Sequence, residues 1–237
     1  MTIFTSLYKK LDIYAPMITQ ILHLILKRRF FSKSIESTFL NIYLNNYWGS
    51  HESISGEGSK LNQTYRIREI LPIILEKYRI NTLLDIPCGD FNWLSQIDLN
   101  SFQYIGGDIV YEIIEKNKFL FSGNKRTFKI IDITKDKLPS SDLLLCRDIL
   151  VHFSYRDIFK TLQNIKKSEI QYLLTTNFYA RGFNRNILTG YWRPINLTKP
   201  PFNFPKPIEI IIEYCTEKNN DYYDKSLALW KINDLKL

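Results

Sequence analysis

The sequence predicts an α/β fold, an open and mostly parallel sheet with helices on both faces that ends in an antiparallel hairpin. Three observations predict it. Apolar runs of strand length alternate with helix-like stretches between residues 64 and 176, the pattern of parallel strands joined by crossover helices. The first run, Leu83-Leu84-Asp85, passes into Ile86-Pro87-Cys88-Gly89-Asp90, a carboxylate followed by a glycine-bearing turn. After residue 206 the helical stretches stop, and two apolar runs, 208–214 and 226–232, are joined by the polar Asn219-Asn220-Asp221, which reads as a hairpin.

Residues 64–78 are rich in Ile and Leu and read as a helix in which Pro72 marks a kink or boundary. Strands are expected at 82–86, 103–108, 127–133, 141–146 and 170–176, with helices at 90–97, 111–119 and 155–167 between most of them. Residues 178–206 hold Trp192, Phe202, Phe204 and several prolines. A loop this long inside a compact domain is usually functional, and here it falls over the carboxyl edge of the sheet.

The 237 residues suit one domain, residues 61–237, carrying the insertion 178–206 and preceded by a helical extension and a Gly/Ser-rich segment within residues 1–60. That segment, Trp48-Gly49-Ser50-His51-Glu52-Ser53-Ile54-Ser55-Gly56-Glu57-Gly58-Ser59, serves either as a lid or as a plain linker. The formal charge of +8 fits nucleic acid, a membrane surface, an anionic small substrate or a solvated basic surface. Cys88, Cys146 and Cys215 are far apart, which argues against a disulfide framework or a zinc cluster and for a reducing, cytoplasmic setting without a metal. The apolar run 13–26 is broken by Gln20 and His23 and followed by Lys27-Arg28-Arg29. It is too short to span a bilayer and a poor signal peptide. Residues 13–31 therefore either pack on the domain or make a weak peripheral contact with an anionic membrane.

The turn after the first strand carries the strongest chemical signal. Gly89 lets the backbone approach a ligand, and Asp85 stands at the carboxyl edge of the strand, where open α/β sheets bind ligands. Nineteen residues later Asp108 ends the second strand. A carboxylate there can take both hydroxyls of a ribose. After the fourth strand comes Cys146-Arg147-Asp148-Ile149-Leu150-Val151-His152. If a helical turn begins there, Asp148 and His152 share a face. An imidazole titrating near neutrality can take the proton of an attacking hydroxyl, or it can cap and pack, while Arg147 can grip an anion or pair with a carboxylate.

Over residues 64–235 the chain resembles class I S-adenosylmethionine-dependent methyltransferases, most specifically in Asp85-Ile86-Pro87-Cys88-Gly89. The family's usual loop has an acidic residue and three glycines at alternate positions. Here Gly89 is the middle glycine, and Pro87 and Phe91 stand in the flanking places. The resemblance implies a Rossmann-like seven-stranded sheet, S-adenosylmethionine as cofactor and S-adenosylhomocysteine as product. It implies that Asp108 holds the ribose hydroxyls and Ile109 faces the adenine. Asp132 would bond the adenine amino group with Ile133 against the base, although a helix-capping Asp132 reads as well. Asp85, Pro87, Gly89, Trp93 and Arg147 would complete the cofactor site. Residues 85–93, 146–152, 174–177 and 192–205 together resemble a bacterial branch linked with surface-polysaccharide biosynthesis. That implies O-methylation of a sugar or sugar nucleotide, His152 as base beside Asp148 and Arg147, and Asn177, Trp192, Arg193 and Asn196 on the substrate. The rival readings are a nucleic-acid or small-amine methyltransferase and a non-catalytic binding protein of the same fold.

Overall fold

The computed structural model describes residues 34–236; the basic stretch 13–31, read as either packing on the domain or touching a membrane, lies outside them. Helix α1 (Ile35–Leu44) starts at Ser34, whose hydroxyl accepts from the Ser37 amide while Ser37 accepts from the Ser34 amide, a reciprocal cap. Helix α2 (Leu61–Lys77) leads into strand β1 (Thr82–Asp85) and then strand β2 (Gln103–Asp108). Helix α3 (Tyr111–Phe121), β3 (Arg126–Ile130), β4 (Leu143–Cys146), α4 (Tyr155–Lys166) and β5 (Tyr172–Phe178) follow. Strands β6 (Glu209–Ile212) and β7 (Lys225–Lys231) close the sheet.

The seven strands lie in the order β3-β2-β1-β4-β5-β7-β6. All are parallel except β7, which runs antiparallel to both β5 and β6. This is a Rossmann-like arrangement with an antiparallel strand pair at its C-terminal end. The order reverses between β1 and β4, and a crevice opens at the carboxyl ends there. Alternate side chains feed two cores. Leu84, Leu144, Leu173 and Trp230 pack with Ile158, Leu162 and Ile165 of α4 on one face. Leu83, Leu145, Leu174 and Leu229 pack with Ile67, Leu71, Ile74 and Leu75 of α2 on the other.

Local differences from expectation have physical causes. Helix α2 continues through Pro72, which is therefore no boundary. A mid-helix proline costs about 3 kcal/mol, but the buried stripe Ile67, Leu71, Ile74 and Leu75 continues past it, and each such side chain is worth roughly 1.5–3 kcal/mol. Residues 90–97 form no helix. Gly89 and Phe91 both have positive φ, 52° and 57°, and only Leu94–Gln96 makes a 3-10 turn. The Phe91 ring is drawn inward, between Tyr104, Phe121 and Phe128, and that burial sets the backbone. The hairpin is real, with β7 lying between β5 and β6, but its connection, residues 213–224, is too long for a tight turn and reaches the cavity at the carboxyl ends of the strands.

Candidate active site

Above the carboxyl ends of β1, β2 and β4 lies a cavity of about 480 Å³, an ordinary size for a small-molecule site. Its floor is the Gly89 turn. The Cys88 amide donates to the Gly107 carbonyl, the Gly89 amide to Asp108 Oδ2 at 3.2 Å, and the Val110 amide to Asp108 Oδ1 at 3.0 Å. Asn117 of α3 donates to the Gly89 carbonyl at 2.7 Å. Burial pushes the Asp108 carboxyl up to about 6 against the bonds from Val110, Gly89 and Ile109, so it is mostly ionised at pH 7. Asp85 accepts from the Tyr104 hydroxyl at 2.7 Å. Burial pushes it up to about 8 in spite of that bond, which leaves it largely protonated.

The Gly/Ser-rich segment is a strap across this floor. Ser53 Oγ and the Ile54 amide both donate to the Asp90 carboxylate at 2.9 Å, and Ser55 Oγ adds a longer bond. A side chain at Gly89 would put its Cβ 2.1 Å from Ser55 Oγ, so the glycine is required by the close approach as well as by its φ. Farther along, Arg147 donates to the Gly58 carbonyl at 2.8 Å. A Cβ at Gly58 would lie 3.1 Å from Lys225 Nζ and 3.3 Å from carboxylate oxygens of Asp148 and Glu217. The strap is therefore held at both ends by polar groups of the cavity wall. Asp90→Ala removes the acceptor at the first end, a loss of about 1–3 kcal/mol. Hydrogen exchange at the Ile54 amide should accelerate by about tenfold or more, and an unchanged rate would show that the strap stays closed without Asp90.

The residues after β4 do not form the expected helical turn. Asp148 has a φ of 56°, and Thr176 fixes that geometry, accepting from the Asp148 amide at 2.8 Å and donating to its Oδ1 at 3.1 Å. A 3-10 turn, Leu150–His152, then brings His152 to the cavity. His152 Nδ1 lies 2.9 Å from the Tyr191 carbonyl. A carbonyl only accepts, so Nδ1 carries the proton and Nε2 the lone pair. Trp48 covers the ring, with centroids 4.9 Å apart and planes tilted by 33°. Burial lowers the pKa of His152 from its ordinary 6.5 to about 4 against the Tyr191 bond, so the imidazole is neutral at physiological pH rather than half-titrated.

Asp148 belongs to a buried ionic group. Lys225 Nζ lies 2.7 Å from Asp148 Oδ2 and 3.6 Å from Glu213 Oε2, and Arg147 reaches Asp148 at 3.2 Å and Glu213 at 2.7 Å. Although burial would raise it, Arg147 and Lys225 hold the Asp148 carboxyl well below the usual range. So acidic a group is a poor proton acceptor. Arg147, clasped by two carboxylates and Gly58, is an organiser of the wall.

The cavity thus collects Asp85, Pro87, Gly89, Trp93, Asp108, Ile109, Arg147, Asp148, His152 and Trp192. Asp132 and Ile133 lie beside it, in a slot of about 20 Å³ that Phe39 of α1 narrows and that shares Pro87, Ile109 and Ile149 with the cavity. Asp132 Oδ1 accepts from the Thr134 amide and hydroxyl, which makes it a turn cap in this structure. Three residues expected on the substrate face inward instead. Asn177 accepts from the Leu197 amide. Arg193, fully buried, donates to the carbonyls of Leu150 and Phe153 at 2.7 and 2.9 Å. Asn196 donates to the carbonyls of Tyr179 and Arg181. The insertion has no regular secondary structure, so Asn177 and Asn196 satisfy its backbone, while Arg193 ties it to the turn after β4. Trp48 came within the segment read as a lid or a linker; lining residues that sequence reasoning did not single out include Asp90, Glu217, Tyr222 and Lys225. Only Asp90 carried a local signal, its place directly after Gly89.

No protein-family profile matches the chain, and no curated protein matches it in sequence. Among solved structures it is similar to the N-methyltransferase NodS from Bradyrhizobium japonicum WM9, with a TM-score of 0.54 and 12% identity over 74% of this chain and 98% of that one. It is also similar to the PH0226 protein from Pyrococcus horikoshii OT3, with a TM-score of 0.50 and 15% identity over 73% of this chain and 92% of that one. At such identities the likeness establishes the fold.

Proposed function

We infer that the protein is an S-adenosylmethionine-dependent methyltransferase acting on a sugar hydroxyl. The observation that carries the reading is one cavity with two chemically different ends. At one end the ionised Asp108 is anchored on the Gly89 turn; at the other a neutral His152 presents an unprotonated Nε2. Bound S-adenosylmethionine supplies an electrophilic methyl group on a sulfonium centre.

The residues present suit that cofactor. Asp108 accepts from the backbone amides of Gly89, Val110 and Ile109, and a carboxylate's roughly four lone-pair sites leave capacity for a ribose hydroxyl. Ile109 and Ile149 line the cavity itself and offer apolar walls for a base. Apart from the largely protonated Asp85, five carboxylates and three cations line the cavity, which favours a cationic cofactor. His152, its Nδ1 fixed by Tyr191, would accept the hydroxyl proton as the oxygen attacks. Trp48, Trp192 and Tyr222 supply ring faces for a sugar, and the strap excludes water. The same charge balance weighs against nucleic acid. The first 33 residues hold six basic side chains and one acidic one, so five of the eight net positive charges lie outside the described fold.

Two measurements test the cofactor assignment. S-adenosylhomocysteine at a hundredfold excess over its dissociation constant should stabilise the protein by about 2.7 kcal/mol, a rise of roughly 5–10 °C in Tm for a chain of this length. Asp108→Ala should weaken that binding by about ten- to a hundredfold. No thermal shift and no calorimetric heat at millimolar ligand would refute the cofactor. Unchanged affinity in the variant would make Asp108 a structural clamp for Gly89. Mass spectrometry of sugar acceptors after incubation with S-adenosylmethionine reads the transfer itself.

A further inference from the structure

The connection between β6 and β7 looks like a spacer in the sequence, yet it furnishes a wall of the cavity through Glu217, Lys218 and Tyr222. Lys218, Asn219 and Asn220 have φ values of 51°, 54° and 67°. Two of the three are asparagines, which tolerate the left-handed region, and the exposed run turns the chain between Glu217 and Tyr222. The run holds Glu217 and Tyr222 at the cavity. Tyr222 lies 4.7 Å from Trp192, centroid to centroid, and 6.0 Å from Phe178.

Glu217 differs from the other carboxylates of the lining. Asp85 is bonded to Tyr104, Asp90 to the strap, Asp108 to two backbone amides, Glu57 to Lys60 at 2.6 Å, and Asp148 to Lys225. The bonded partner of Glu217 among the described residues is the Cys215 thiol, 3.5 Å from Oε1, a weak donor. A carboxylate with spare acceptor capacity beside two aromatic faces suits a polyhydroxylated ring, whose C–H face lies on the aromatics while its hydroxyls donate to the carboxylate. It also repels a negative charge placed against it.

We propose that Glu217 is the specificity-determining carboxylate of the acceptor subsite. It takes two adjacent hydroxyls, or a hydroxyl and an ammonium, of a pyranose lying against Trp192 and Tyr222, and it turns away rings bearing a carboxylate. This rests on the sugar-methyltransferase reading.

The test uses the full chain, with and without saturating S-adenosylhomocysteine, and three probes on one ring: methyl α-D-glucopyranoside, D-glucosamine and D-glucuronic acid. Binding is followed by ligand-observed NMR and by tryptophan fluorescence. The wild type should bind the neutral and amino sugars and exclude the acid. Glu217→Gln should weaken glucosamine by about tenfold and narrow its margin over glucuronic acid, with S-adenosylhomocysteine affinity unchanged; Glu217→Asp should keep the preference. An unchanged margin in Glu217→Gln, or no binding of any probe to the wild type, overturns the proposal. So does a loss of S-adenosylhomocysteine affinity in that variant, which would give the carboxylate to the cofactor. Failure of S-adenosylhomocysteine to bind the wild type overturns the parent reading alone, because the sugar titrations are also made on unliganded protein.

Discussion

His152→Gln should cut methyl transfer by about a hundredfold or more, the scale expected for loss of a general base, while cofactor affinity stays within a few fold. The pH dependence separates this residue from Asp108. Because burial holds His152 near 4, the wild-type kcat should stay level through pH 6.5 and fall only as pH 4 is approached. Asp108 titrates near 6, so KM for S-adenosylmethionine should begin to rise below about pH 6, in the wild type and the variant alike. A kcat that falls around pH 6.5 would mean that the imidazole is solvated in the working enzyme. Equal turnover in the two proteins would remove His152 from the chemistry.

Stability gives an independent reading of the same imidazole. Its folded pKa lies below its unfolded value, so between pH 6.5 and 4 the unfolded chain binds the proton and the native state does not. Stability is lost as the pH falls through that window, by about 3 kcal/mol in all at 1.36 kcal/mol per pKa unit, and the loss levels off below it. His152→Gln lacks this term. The stability difference between the two proteins should therefore be constant above pH 6.5 and shift in favour of the variant as pH drops. A difference that does not change with pH would contradict the buried, neutral assignment.

Arg147→Met should cost about 3–5 kcal/mol, because one cation is removed from a buried group and the opposite charges are left without it. Glu213 is 1% exposed, and its Oε1 already has no hydrogen-bond partner. The strap also loses its anchor at Gly58. For a chain of this length the Tm should fall by about 10 °C. The double variant Arg147→Met, Glu213→Leu should recover part of that loss, since the cost lies mainly in the stranded charge. No recovery would place the cost in the packing of Arg147 over Trp93, 5.6 Å from the ring centroid.

Much of the fold was legible because its determinants are local. The central parallel strands β1, β4 and β5 are buried on both faces, and their cores read as apolar runs. Asp85, Gly89 and Asp108 are tied to strand ends by sequence spacing alone, and the structure puts all three on one cavity. The segment 90–97 misled because Phe91 is pulled into an aromatic cluster contributed by β2, α3 and β3, and nothing nearby in sequence announces those partners. Pro72 misled because its local penalty is smaller than the burial on either side of it. In the insertion, Trp192, Arg193 and Asn196 are close neighbours of similar appeal, yet only Trp192 reaches the cavity.

By itself, then, the sequence determined the order of elements, the reversal that opens the crevice and the carboxylates at the ends of the first two strands, since these follow from hydrophobic period and short turns. Tertiary structure alone decided which polar atoms stay unpaired. Asn177 and Asn196 spend theirs on the backbone of an irregular loop, and Arg193 spends its own on the carbonyls at the ends of the 3-10 turn after β4. Asp90 spends its own on a strap more than thirty residues upstream. Burial, which no residue type encodes, sets His152 neutral, and contacts between segments far apart in the chain leave Glu217 with a thiol for its bonded partner.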